Sequence, residues 1–264
     1  MEALYSLSKP LIRAKVLARP SKKIKSPYLA DIEIDSKEYL CHSAPLGCSG
    51  HIVENSIVWV FEKESSNAKS THEIYLIEEN NILIGCHPLV ANKIGYQLLK
   101  RNMVLSNIKN ISSEQTIDDC RFDFIAQADE RMTIIEIKSV PLADYFDGTT
   151  KEVQAYLKEF SSYEKIAIFP YCTVAGKRSI SNEPLSGRAL KHVESLRNLV
   201  KTYKCMLLFI VQRTDVSKFC ITKLDPIYKN ACKKAFDEGV IIKAVSIRWD
   251  NQHAYYEKDL EIIW

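Results

Sequence analysis

The sequence predicts an α/β protein of two domains: a small five-stranded β-barrel, then a larger domain in which helices alternate with strands of a mixed central sheet. Three observations predict it. The chain has 264 residues, and at roughly 150 residues per domain that length gives about two. Five short strand patterns separated by turn formers lie between residues 11 and 77. After residue 85 the pattern changes to helical spacing interleaved with apolar strands. With 46% hydrophobic and 26% charged residues, the chain can fill two cores, which excludes disorder as its main state. No sequence period of roughly 20 to 50 residues occurs, which removes solenoids and propellers.

In the first domain, strands are expected over 11–18, 28–34, 37–42, 56–62 and 72–77, divided by Pro27, Asp35-Ser36, Gly47 and Gly50. An oligonucleotide-binding (OB) barrel is one closed solution for five such strands. A helix follows over Leu89–Lys100, with Pro88 tolerated in its first turn. Strands are expected at 103–108, 121–127 and 132–138, a helix near 186–203, the very apolar strand Cys205–Val211, a helix over 226–238 and a strand over 240–247. Residues 141–185 read as an insertion with one buried strand at 165–169. The expected domains are therefore 1–84, 85–250 and a C-terminal tail, 251–264.

The longest apolar run, Cys205–Val211, falls far short of the roughly 20 residues that cross a bilayer. Glu2, Ser6, Ser8 and Lys9 interrupt any secretory leader, so a cytoplasmic or nuclear location and no membrane partner are expected. The eight cysteines are dispersed singly and read as reduced, structural thiols. Net charge is +3, yet Lys9, Arg13, Lys15, Arg19, Lys22, Lys23 and Lys25 form a segment without acids, leaving −4 for the remainder. Such a cluster is an electrostatic footprint for phosphate, although a charge run is more often only a solvated face.

The chemistry concentrates in Cys120–Ile125 and Thr133–Lys138. Side chains alternate along a strand, so Glu136 and Lys138 share one face while Ile135 and Ile137 take the other. If 121–127 and 132–138 pair through Asp129-Glu130-Arg131, Asp123 approaches Glu136 across the strands. Two carboxylates repel unless a cation lies between them, and a hard divalent ion with oxygen ligands fits, Mg²⁺ or Mn²⁺. Such an ion binds phosphate and activates water, while Lys138 orients that water and offsets developing charge. The competing reading is a cross-strand salt bridge on a solvated face. Flanking Phe and Ile residues weigh against it, because charges in so apolar a strand are costly unless satisfied.

Asp123, twelve intervening residues and Glu136-Ile-Lys138 resemble the PD-(D/E)XK nuclease signature. The wider chain resembles the sugar fermentation stimulation protein A family over roughly residues 11–247. The matching stretches are Tyr28-Leu-Ala-Asp-Ile32, Leu40 to Gly50, Val90 to Ile94, Arg121-Phe-Asp-Phe124, Ile135 to Val140, Arg188-Ala-Leu-Lys-His-Val193 and Leu224-Asp-Pro-Ile-Tyr228. The resemblance implies an OB barrel joined to a nuclease-like α/β domain that binds nucleic acid, DNA foremost. It implies Asp123 and Glu136 as metal ligands, Lys138 as the catalytic lysine, and Arg188, Lys191 and His192 on a flanking helix in reach of phosphate. Glu114 is the nearest match to the family's preceding acid, and Glu183 is a second candidate that reads more readily as a surface loop residue. In the first domain, Arg13, Lys15, Lys22, Lys23 and Lys25 are expected to contact phosphates and Tyr28 to stack on a base.

The chain departs from the family at Ala44-Pro45-Leu46, where relatives carry Asn-Thr, and at Phe169-Pro170, whose acid is displaced. Cys41, His42, Cys48 and His51 invite a zinc reading, but no C-x2-C pair is present. His192 as a general base is a weaker alternative to a phosphate contact. Without a P-loop, a dinucleotide fingerprint or a nucleophile elbow, kinase, dehydrogenase and α/β-hydrolase readings fall away. The alternative to a nuclease is a non-catalytic DNA-binding regulatory protein that keeps the fold.

Overall fold

Two-residue turns with left-handed backbone at both positions shape the N-terminal sheet. They are Asp35-Ser36 (φ 48° and 62°) and Asn80-Asn81 (φ 50° and 62°), the geometry that matches the twist of a hairpin. After β1 (Tyr5–Ser6), which lies outside this sheet, its strands are β2 (Ile12–Ala18), β3 (Leu29–Ile34), β4 (Lys37–His42), β5 (Ile57–Glu62), β6 (His72–Glu79) and β7 (Ile82–Gly85). This is a computed structural model, and it describes residues 2–45, 48–64, 69–128, 131–160, 164–174 and 177–264.

The sheet runs β4-β3-β2-β5-β6-β7, and a parallel pairing of β4 with β6 at Cys41↔His72 closes it into the expected barrel. Alternation puts Ala14, Val16, Ile32, Val58, Val60, Ile74 and Leu76 inside, all essentially inaccessible. This unit comprises Met1–Val90 together with Gln212–Thr214 and Ile247–Glu257. Within it, Arg213 is fully buried and paired with Glu79 at 3.1 Å.

The second unit comprises Ala91–Val211, Asp215–Ser246 and Lys258–Trp264. Its elements are drawn from α1 (Pro88–Lys100), β8 (Ile108–Ile117), β9 (Cys120–Ala128), β10 (Arg131–Val140), β11 (Ala143–Asp144), α2 (Thr150–Glu159), β12 (Lys165–Phe169), β13 (Thr173–Val174), β14 (Lys177–Arg178), α3 (Gly187–Leu199), β15 (Lys204–Val211), β16 (Val216–Ile221), α4 (Pro226–Asp237), β17 (Ile241–Trp249) and β18 (His253–Ile263). The large sheet runs β11-β12-β16-β18-β17-β15-β10-β9-β8. It is mixed: β10, β15 and β17 are parallel neighbours, whereas β8, β9 and β10 form an antiparallel meander.

Ile134 and Val140 of β10 join Val193 and Leu196 of α3 and Tyr228 and Cys232 of α4 in one core. By alternation, Glu136 and Lys138 belong to this face of β10. On the other face, α1 comes so close to β10 that a Cβ on Gly95 would lie 2.0 Å from Ile137 Cδ1.

Several expectations need correction. Residues 103–107 are not a strand; positive φ at Asn102 and Asn107 turns the chain there, and β8 begins at Ile108. Residues 251–264 are not a tail, since 253–263 form β18. The expected insertion contains α2, opened by a Thr149–Glu152 capping box. It is anchored by Arg178, whose buried guanidinium pairs with Asp144 and Asp147 at 3.2 and 3.1 Å. The turn residues Asp129 and Glu130, with Leu46 and Gly47, lie outside the described residues. No described helix is long and apolar enough to cross a membrane, which says nothing of β-barrels.

Candidate active site

The β9–β10 ladder pairs Ile134 with Ile125 and ends with Ile135 opposite Phe124, one residue short of Glu136 and Asp123. There the main-chain pattern gives way to side chains. Asp123 Oδ2 accepts the Ile137 N–H at 2.7 Å, and Oδ1 accepts from Asn92 Nδ2 of α1, also at 2.7 Å. Neighbouring Glu136 is buried at 3% exposure. Its Oε1 accepts from Lys138 Nζ and from His192 Nδ1. Its Oε2 is buried and has no hydrogen-bond partner.

The electrostatics follow from this packing. Burial, then the Glu136 charge, pushes the Asp123 carboxyl up, against the pull of the Ile137 N–H and Asn92. Burial also pushes Glu136 up, but His192 and Lys138 outweigh it and hold the carboxyl below its ordinary value. Asp123 and Glu136, with one oxygen of Glu136 left without a partner, are the two carboxylates here that could hold a hard cation with waters completing its shell. They are not a complete protein cage: among the described residues no group of three or more His, Cys, Asp or Glu is arranged to hold a metal.

Two expected site residues are placed elsewhere. Glu114 does not approach Asp123; positive φ (53°) turns it outward, where it pairs with Arg121 on the exposed side of β8 and β9. His192 does not face solvent phosphate; it is 5% exposed, against Glu136 and with its ring 5.8 Å from that of Phe122. Arg188 and Lys191, on the same helix, are exposed, and Lys191 pairs with Asp119 at 2.6 Å. Glu183 lies on an exposed stretch.

The expected phosphate-contacting residues of the barrel are also exposed, Arg13 and Lys15 on β2 and Lys22, Lys23 and Lys25 on a loop with its own scaffold. Asp31 is an acid at 4% exposure in apolar β3; it accepts from Ser21 Oγ at 2.6 Å and from the Lys22 N–H at 2.7 Å. Ser21 Oγ in turn accepts the N–H groups of Lys23 and Ile24, and Arg19 bridges the carbonyls of Ile52 and Pro27. Lys22, Lys23 and Lys25 are thus displayed with Tyr28, which is 48% exposed. Two cations are already matched: Arg13 forks onto Glu78 at 2.8 and 3.0 Å, and Lys23 meets Glu38 at 3.1 Å. Lys15 is exposed, opposite Glu33 in the ladder.

The zinc reading fails on geometry. His42 turns to Glu73 and His51 to Glu79, while the Cys48 thiol is buried and pushed up to about 12. Sequence reasoning passed over Asn92 and Asp31 as site-building residues. A polar residue within an otherwise apolar stretch was the available signal for each.

A family model described as the sugar fermentation stimulation protein RE domain matches residues 89–163 and 183–253. Among curated relatives, the sugar fermentation stimulation protein homolog of Carboxydothermus hydrogenoformans is 25% identical over 241 residues, covering 89% of this chain and 92% of its own. The homolog of Pelagibacter ubique is 26% identical over 262 residues, covering 97% and 98%. A solved structure described as Pyrococcus furiosus SfsA in complex with Ca²⁺ superposes with a TM-score of 0.76 over the full length of both chains at 17% identity, a likeness of fold. With the large mixed sheet, the N-terminal barrel and more than half of its residues matched by that model, the chain belongs to the sugar fermentation stimulation protein (SfsA) family.

Proposed function

We propose that this protein binds nucleic acid, DNA foremost, and hydrolyses phosphodiester bonds at Asp123, Glu136 and Lys138 with Mg²⁺ or Mn²⁺. The observation that carries the reading is Glu136 Oε2. A carboxylate oxygen buried without a partner is costly, and beside a second carboxylate it makes half of a cation's ligand set. Family membership supports a nucleic-acid-related role, and the Ca²⁺ named for the Pyrococcus furiosus relative supports an oxygen-ligated cation.

In this reading Asp123 and Glu136 hold the cation, which when bound neutralises phosphate charge and makes its water a better nucleophile. The chain's own groups do the rest. Asn92 and the Ile137 N–H fix the plane of Asp123. Lys138, half-withdrawn from solvent on the same strand face as Glu136, orients the attacking water and balances charge that develops on the phosphate. In the barrel, Lys22, Lys25 and Tyr28 supply phosphate contacts and a stacking surface.

The test is incubation of the purified chain with labelled single- and double-stranded DNA and RNA, in Mg²⁺, in Mn²⁺ and in chelator. Cleavage that requires the metal supports the reading and names the substrate. A second reading, a regulatory DNA-binding protein without catalysis, is favoured by one observation: among the described residues no third acid joins Asp123 and Glu136. Binding without cleavage under any metal selects it.

A further inference from the structure

We infer that His192 is a positioning residue for the cation site: its ring N–H holds one oxygen of Glu136 so that the other is presented to the metal. The inference rests on the function proposed above and concerns a residue that the family resemblance placed at the phosphate.

Helix α3 is set by its Ser186 N-cap, and its inward residues Ala189, Val193 and Leu196 are apolar. His192 lies on that same inward face and is equally buried. An imidazole there is costly unless it is hydrogen-bonded, and its Nδ1 meets Glu136 Oε1. Lys138 Nζ reaches the same oxygen from the strand side. Two donors converging on Oε1 fix the carboxylate plane and leave Oε2 with its lone pairs unspent. A merely structural partner would serve the bare oxygen as well as the satisfied one. Such a supporting hydrogen bond orients a ligand before the metal arrives, and its loss typically weakens metal binding about 10–100-fold.

The test uses the full chain without nucleic acid. His192→Phe keeps a ring of similar size and removes the N–H, whereas His192→Asn places an amide N–H near the Nδ1 position. Binding of Ca²⁺ and of Mg²⁺ is measured by titration calorimetry, and folding is checked by thermal unfolding in chelator. The expected result is about 10–100-fold weaker Ca²⁺ binding in His192→Phe, largely restored in His192→Asn. Should His192→Phe not fold, His192→Gln, whose amide reaches toward the Nε2 position, replaces it with the same expectation. Unchanged Ca²⁺ affinity in a folded variant without the Nδ1 donor overturns this inference alone. Absence of Ca²⁺ and Mg²⁺ binding by the unaltered chain overturns the cation reading itself and this inference with it.

Discussion

Asp123 accepts the main-chain N–H of Ile137 at 2.7 Å, so one carboxylate oxygen takes over a ladder bond beside Glu136. The other oxygen is engaged by Asn92. Both oxygens of Asp123 are therefore acceptors that the backbone and a helix depend on. Asp123→Asn supplies only one acceptor and turns an N–H toward a donor. The variant is expected to lose about 1–3 kcal/mol of stability, read from urea midpoints. A midpoint equal to that of the unaltered chain would remove this role from Asp123.

Gly95 allows α1 to approach Ile137, the residue between Glu136 and Lys138. Its Cβ would meet the far end of the Ile137 side chain, so Gly95→Ala overpacks the contact and costs about 1–3 kcal/mol. Adding Ile137→Val removes the clashing methyl and recovers part of that loss, which a double-mutant cycle measures. Purely additive losses would show that the two residues do not meet.

In the barrel, Glu73 lies between His87 and His42 at 3.3 and 2.8 Å. Chiefly through the His87 hydrogen bond, and against its own burial, its carboxyl is held down from 4.5 to about 2. A carboxylate depressed in the folded state adds stability that is full above its unfolded value. That contribution is lost as the pH falls from about 4.5 toward about 2. The stability advantage of the unaltered chain over Glu73→Gln, followed by chemical denaturation, is expected to shrink across this acid window. An advantage that stays constant through it would contradict the assignment.

The basic loop predicts a division among cations. Lys22→Ala or Lys25→Ala lowers the magnitude of the salt slope of nucleic-acid binding by about one contact each. Arg13→Ala leaves that slope unchanged, because the Arg13 fork is already spent on Glu78. Titrations at several salt concentrations check this, and the opposite ranking would move the binding face to β2.

How much of this was legible in the sequence depends on how local each signal was. The barrel strands and the antiparallel pairing of the two strands that carry Asp123 and Glu136 follow from alternation over a few residues, and the structure has both. Strand β18 was hidden because Glu257, Lys258 and Asp259 put three exposed charges in its middle and broke the alternation. Helix α2 carried a readable capping box, but it has a single buried residue, Val153, and so no apolar stripe. Glu114 was misplaced because sequence spacing cannot show that a positive φ turns its side chain outward. His192 is expected near phosphate only from the family resemblance, and helical spacing alone does not decide its face, because it lies four residues from exposed Arg188 as well as three from buried Ala189 and four from buried Leu196.

The most direct measurement of the central claim compares the unaltered chain with Glu136→Gln in single-turnover cleavage and in binding, at fixed salt with Mg²⁺. The amide remains able to accept from His192 and Lys138 but cannot serve as an anionic ligand. The account predicts loss of cleavage with affinity for nucleic acid essentially retained, since the basic loop is untouched. Cleavage by Glu136→Gln at the rate of the unaltered chain would contradict it and move the chemistry away from this carboxylate.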